Sequence, residues 1–124
     1  MKDEKMKEVK PRLKEFALRI IRMYAALPKN NTVAQVLGKQ ALRSGTSVGA
    51  NFCEAHRARS PAEFISKTGD SLKEAEETAY WLELLVESGI IPAKKMEALL
   101  DEIQQLIAIL ATINKKAKQN LDQK

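Results

Sequence analysis

The sequence predicts an all-α protein, folded as an up-down-up-down antiparallel four-helix bundle. Three observations predict it. Apolar residues recur at spacings of three and four along most of the chain, the signature of helices with one buried face. No alternating run exceeds a few residues and no Asn-Gly or Asp-Gly hairpin turn occurs, so strands are not expected. The breaks between the periodic runs are two to five residues long, which forces successive helices to run antiparallel.

The first helix is expected over about residues 11–27. Pro11 suits a helix start, and Leu13, Phe16, Ala17, Ile20, Ile21 and Tyr24 form its apolar face. Pro28 and Asn30-Asn31 close it, and Thr32 with Gln35 three residues on reads as a capping box opening the second helix. That helix, about 33–58, carries an inward stripe of Leu37, Ala41, Ser44/Gly45, Val48, Phe52 and Ala55. Interior glycines cost roughly 1 kcal/mol each against alanine, so Gly45 and Gly49 predict close approach of another helix. Ser60-Pro61-Ala62-Glu63 combines an N-cap serine, proline at the first helical position and glutamate at the third. The third helix, about 61–88, follows with Phe64, Ile65, Thr68, Leu72, Ala75, Ala79, Leu82 and Val86 inward, and Ser88-Gly89 ends it. The fourth, about 93–118, repeats Met96, Leu99, Leu100, Ile103, Leu106, Ile107, Leu110 and Ile113, with fraying expected beyond Lys115.

With 124 residues the chain has room for one domain, residues 1–124, and for a core without covalent staples. Apolar residues at 44% and charged residues at 30% exclude a disordered chain. The single cysteine, Cys53, excludes an intramolecular disulfide, and the single histidine, His56, excludes a multi-histidine metal cage. No apolar run reaches the roughly 18 residues of a membrane span, and the opening MKDEKMKEVK lacks the apolar stretch of a signal peptide. A cytoplasmic location and no membrane contact are therefore expected.

The net charge of +5 conceals a division. Residues 1–59 hold 13 Lys/Arg against 5 Asp/Glu, residues 60–113 hold 4 against 10, and residues 114–124 hold 4 against 1. Such separation favours complementary faces within or between copies, and the basic part permits phosphate binding. Lys10, Arg12, Lys14, Arg19, Arg22, Arg57 and Arg59 are the candidate phosphate contacts.

A second stripe exceeds what a core needs. Arg43, Ser47, Asn51 and Glu54 align along one side of the second helix, and Lys67, Ser71, Glu74, Thr78 and Trp81 along the third. The short connection near residue 59 sets an antiparallel register. It brings Glu54 near Lys67, Ser47 near Ser71, and Arg43 near Glu74 or Glu77. One reading is a solvated pair of helices with surface ion bridges. The other is a partly buried polar network that fixes register or a subunit contact. Trp81 favours the second, since aromatics beside polar groups are typical of interfaces.

Chemistry has less support. Cys53 and His56 lie three apart, but a nucleophilic pair also needs an orienting group and an oxyanion site. Glu54 and His56 supply at most two ligands, short of a zinc site. Glu74, Glu76 and Glu77 lack the Glu-x-x-His motifs of carboxylate-bridged metals in bundles. Met1, Met6, Met23 and Met96 form no stripe. No enzyme activity, metal or cofactor is expected.

The run from Leu42 to Ile91 resembles the four-helix-bundle proteins encoded in intervening sequences of bacterial 23S rRNA genes. The matching features are Arg43-Ser44 before Thr-Ser-Val-Gly-Ala-Asn, Glu54-Ala55, Phe64 after the capping box, and Lys67, followed by Glu74-Ala75-Glu76-Glu77-Thr78 and Tyr80-Trp81-Leu82. The likeness extends more loosely over the first and fourth helices. It implies a homo-oligomer, with ring-shaped pentamers as the expected form. The chain is also similar to the accessory protein of diversity-generating retroelements, a basic pentameric bundle that binds a reverse transcriptase and nucleic acid, although residues 60–113 here are acidic. The expectation is a non-enzymatic scaffold that partners itself and binds RNA or a nucleic-acid-processing protein. The alternative is a structural or protein-interaction module without nucleic-acid affinity.

Overall fold

The computed structural model describes residues 2–122, and all four expected helices are present: α1 (Lys2–Ala25), α2 (Thr32–His56), α3 (Pro61–Glu87) and α4 (Ala93–Asp122). At 1.5 Å per residue they are roughly 36–45 Å long. Successive helices run antiparallel, as the cross-contacts require. Gly49 faces Leu13 while Gly38 faces Tyr24 and Leu27, and Lys67 meets Glu54 while Glu77 meets Arg43. Asn114 reaches back to Ile65, and Arg12 joins Glu102 across the seam that closes the bundle.

The core is one continuous cluster, in which Phe16 and Ile20 of α1, Val48 and Phe52 of α2, Leu82 and Leu85 of α3, and Ile103, Leu106 and Leu110 of α4 are essentially dry. Small residues set the spacing of α1 and α2. A methyl group on Gly45 would stand 3.0 Å from the Ile20 side chain, and one on Gly38 only 2.4 Å from Leu27 and 2.8 Å from the Tyr24 ring. The close approach read from Gly45 is therefore real, a methyl on Gly49 would make only ordinary contact with Leu13 at 3.5 Å, and Gly38, which the periodicity did not single out, is the tightest point.

The helix ends differ from expectation in five places, one of them the end of α1 at Ala25, two residues early. α1 starts at Lys2, with Pro11 inside it rather than at its start. A proline there removes one backbone hydrogen bond, but Val9 is buried just before it and Arg12 is tied to α4 just after it. Asn31, not Thr32, caps α2: its side chain accepts from the Ala34 N–H at 3.0 Å. Gln35, freed from capping, accepts from the Tyr24 hydroxyl and donates to the Pro28 carbonyl. α2 ends at His56, two residues early. α4 does not fray after Lys115 but continues to Asp122. Just ahead of that stretch Asn114 anchors α4, donating to the Ile65 carbonyl at 2.9 Å and to the Thr68 hydroxyl at 2.8 Å.

The start of α3 follows the sequence reading. The Ser60 hydroxyl accepts from the Glu63 N–H at 3.1 Å, and the Glu63 carboxylate accepts from the Arg59 N–H at 2.9 Å. Gly89, at φ 81°, takes the left-handed position after α3. On α1, Ile21 is 44% exposed and leaves the apolar face assigned to it. Met96 is buried and Met23 half-buried, whereas Met1 and the Met6 side chain lie outside the described residues.

Two glycine substitutions test this spacing in opposite directions. Gly45→Leu destabilises the bundle by on the order of 1–3 kcal/mol through overpacking against Ile20. Gly69→Ala, where the added methyl meets only Asn114 at 3.7 Å, stabilises it by roughly 0.5–1 kcal/mol. Urea and thermal melts read both.

Candidate subunit interface and basic end

The α2–α3 face assembles the polar stripe in the expected register. Lys67 Nζ is 2.7 Å from Glu54 Oε1. Further along, the Arg43 guanidinium donates to Glu74 Oε1 at 3.3 Å and also to Glu77. Glu77 accepts from the Trp81 indole N–H at 3.2 Å, so one carboxylate ties a cation to the indole. The Arg43 side chain is 51% exposed and that of Glu74 21%. In the single chain the network is thus half-covered, neither sealed nor fully wet.

The hydroxyls between these ion pairs are arranged differently from the expectation that Ser47 meets Ser71. The Ser47 hydroxyl donates within its own helix to the Arg43 carbonyl, and Asn51 donates to the Ser47 carbonyl. Ser71, fully buried, donates across to the Val48 carbonyl at 2.8 Å. The hydroxyl pair that does meet is Ser44 with Thr78, 2.8 Å apart and dry. Thr78 also lies 2.7 Å from the Glu74 carbonyl and Ser44 lies 2.9 Å from the Gln40 carbonyl. Two hydroxyl protons serve those three contacts. Ser47 sits one helical position too far toward solvent to join them. Among the described residues no buried side-chain nitrogen or oxygen lacks a hydrogen-bond partner.

Beside this network the face turns apolar. Tyr80, 54% exposed, packs edge-on against Trp81 with ring centroids 5.3 Å apart. Val36, 55% exposed, stands on the same side of α2 as Arg43, two turns toward its start, and Val33, 56% exposed, lies nearly three turns away and about 80° round the helix. Sequence periodicity missed both valines, because an isolated apolar residue off the core stripe carries no signal until its neighbours are known.

The candidate phosphate contacts separate into three groups. Lys10, Lys14, Arg57 and Arg59 are exposed in the half of the bundle where α1 begins and α2 meets α3. Lys115, Lys116 and Lys118, on the last turns of α4, are exposed at the same end. Asn114 fixes that placement through Ile65. Arg12 stands apart, its guanidinium donating to both Glu102 oxygens at 2.7 and 3.1 Å and to Gln105 at 3.1 Å. Arg19 and Arg22 lie toward the opposite end beside a groove between α1 and α4, with Arg22 3.5 Å from Glu15.

Elsewhere Cys53 is half-buried and His56 exposed at the end of α2. No three His, Cys, Asp or Glu side chains among the described residues come together in a metal-binding group. No helix is long and apolar enough to cross a membrane.

The family model described as 23S rRNA-intervening sequence protein matches residues 5–112. The chain belongs to that family. A solved structure of the same character is similar to it throughout. It is a protein of unknown function from the S23 ribosomal protein family of Bacteroides thetaiotaomicron VPI-5482. The two are 43% identical with a TM-score of 0.83, over 90% of this chain and 98% of that one. No curated protein matches the chain. Family membership and this likeness agree on the four-helix fold.

The Glu54–Lys67 pair gives a pH test of the α2–α3 face. The hydrogen bond from Lys67, then its charge, holds the Glu54 carboxyl below its ordinary value, and Glu54 likewise holds the Lys67 ammonium above its own. A lowered carboxyl favours the fold above the ordinary carboxylate range, and the gain is lost as pH falls through the lowered value. The raised ammonium favours it below the ordinary lysine range, and that gain is lost as pH climbs through the raised value. Both side chains are partly exposed, so the effect is small. The stability difference between wild type and Glu54→Gln is expected to hold steady near neutrality and to shrink in strong acid, read by urea melts across pH.

Proposed function

We propose that the chain is a non-enzymatic, homo-oligomeric scaffold, a pentamer by the family resemblance, that binds RNA or a ribonucleoprotein on its basic end. The observation that carries this reading is a convergence of sequence-distant cations. Lys10 and Lys14, Arg57 and Arg59, and Lys115, Lys116 and Lys118 come from three separate stretches and share one half of the bundle. These seven cations outnumber the exposed Glu8, Glu54, Glu63 and Asp122 of the same half, and such a surplus attracts polyanions. The proposed contact between copies is the α2–α3 face, where the Arg43–Glu74–Glu77 network, Trp81, Tyr80 and the two valines set paired charges beside apolar surface, a mixture that interfaces use. Repetition of the basic end around a ring would multiply weak phosphate contacts into useful affinity.

A second reading has its own support. The acidic balance of residues 60–113 complements the basic first half, so the charge division can serve contact between copies alone, with a protein partner docking on the assembly.

Two measurements separate the readings. Light scattering is expected to give a multiple of 13.9 kDa, reduced to the monomer by Arg43→Glu combined with Trp81→Ala. A monomeric wild type defeats the scaffold. Filter binding to a structured RNA at about 50 mM salt is expected to detect affinity that falls steeply with added salt as counterions are released. Arg57→Glu with Arg59→Glu is expected to weaken it at least about tenfold, two lost phosphate contacts at roughly 1 kcal/mol each. Assembly without RNA affinity selects the second reading.

A further inference from the structure

α1 and α4 are the first and last helices, and their seam is the least tightly packed in the bundle. Midway it is bridged by Arg12 with Glu102 and Gln105. Beyond that bridge, at the end opposite the α2–α3 connection, it opens into a groove of about 410 Å³, open to solvent along one side. Met23 of α1, Ile90 of the α3–α4 connection and Met96 of α4 line its floor, and every charged residue lining it is a cation: Arg19, Arg22 and Lys95. No carboxylate lines it.

We propose that this groove docks an acidic amphipathic segment of a protein partner, with one or two apolar side chains seated between α1 and α4 and flanking carboxylates paired to Arg19 and Lys95, and to Arg22 in exchange for its long 3.5 Å contact with Glu15. Charge complementarity selects this occupant. An apolar floor inside an all-cationic rim suits a chain that alternates apolar anchors with acids, the helix-in-groove mode of recognition. The groove's volume matches a few side chains. The two methionines add unbranched, adaptable side chains suited to varied anchors. Nucleic acid fits poorly, because three cations around an apolar floor offer a phosphate backbone fewer contacts than the seven cations of the basic end. An acyl chain fits poorly too, since the open side would leave much of it in water. This site is independent of RNA binding, because the proposed phosphate surface lies at the other end.

The test uses the intact protein and three probes. The first is a fluorescein-labelled helical peptide with leucines at three- and four-residue spacing flanked by glutamates. The second is the same peptide with lysines for the glutamates, and the third is dodecanoate. Anisotropy is expected to show the acidic peptide binding at least about tenfold tighter than the basic one. Arg19→Glu with Lys95→Glu is expected to erase that preference while melting stays at the wild-type value. Ala26→Trp, which fills the groove from an exposed position, should abolish binding with the charges intact. Equal binding of the two peptides overturns the proposal. So does an acidic peptide indifferent to both variants, or dodecanoate that displaces the peptide and binds more tightly.

Discussion

The close approach of α2 to both its neighbours is the constraint on which the rest of the molecule depends. Against α1, no methyl group fits at Gly38 without moving Leu27 or Tyr24, and Gly45 lies against Ile20. Against α3, contact is made by Ser44, Val48, Ser71 and Thr78, small or β-branched side chains that let backbone carbonyls serve as partners across the interface. A helix so enclosed has little freedom to rotate or slide. Its outer side must then present Arg43, Glu54 and the two valines where they stand.

Close packing of polar side chains is favourable here because each is satisfied. A buried hydroxyl or amide without a partner would cost about 1–3 kcal/mol, and among the described residues none is left so. The buried polar contacts also act as register pins. Ser71 to Val48 fixes α3 on α2, and Asn114 to Ile65 and Thr68 fixes α4 on α3. Leucine and isoleucine contacts tolerate sliding by a turn, whereas a hydrogen bond under 3 Å does not. Register in turn decides which charges meet.

Topology then divides the surface. Antiparallel runs return the start of α1, the α2–α3 connection and the end of α4 to one pole, where exposed lysines and arginines gather. The other pole holds a groove with cations at its rim and apolar side chains beneath. Between the poles the α2–α3 face carries paired charges beside exposed Tyr80, half-buried Trp81 and the two valines. The three surfaces are distinct in chemistry, and the basic pole adjoins the α2–α3 face, where the charge of Arg57 acts on Glu54. That arrangement suits the proposed scaffold, which must meet copies of itself and other molecules.

Helix number, order and direction were legible in the residues alone, because apolar periodicity and short breaks are local properties. So were the Ser60 cap and the left-handed Gly89, whose side chains or lack of one act on their own backbone. The pairing of Glu54 with Lys67 and of Arg43 with Glu74 and Glu77 followed from one short turn plus antiparallel geometry. What required the folded chain depends on rotation about each helix axis, and there one residue of error turns a side chain by about 100°. That rotation placed Ser44 and not Ser47 against α3, turned Ile21 outward, committed Arg12 to Glu102 and made Asn114 a clamp just before the stretch where fraying was expected. It also separated the cations into one cluster and one groove, since residues far apart in sequence become neighbours only when the helices pack.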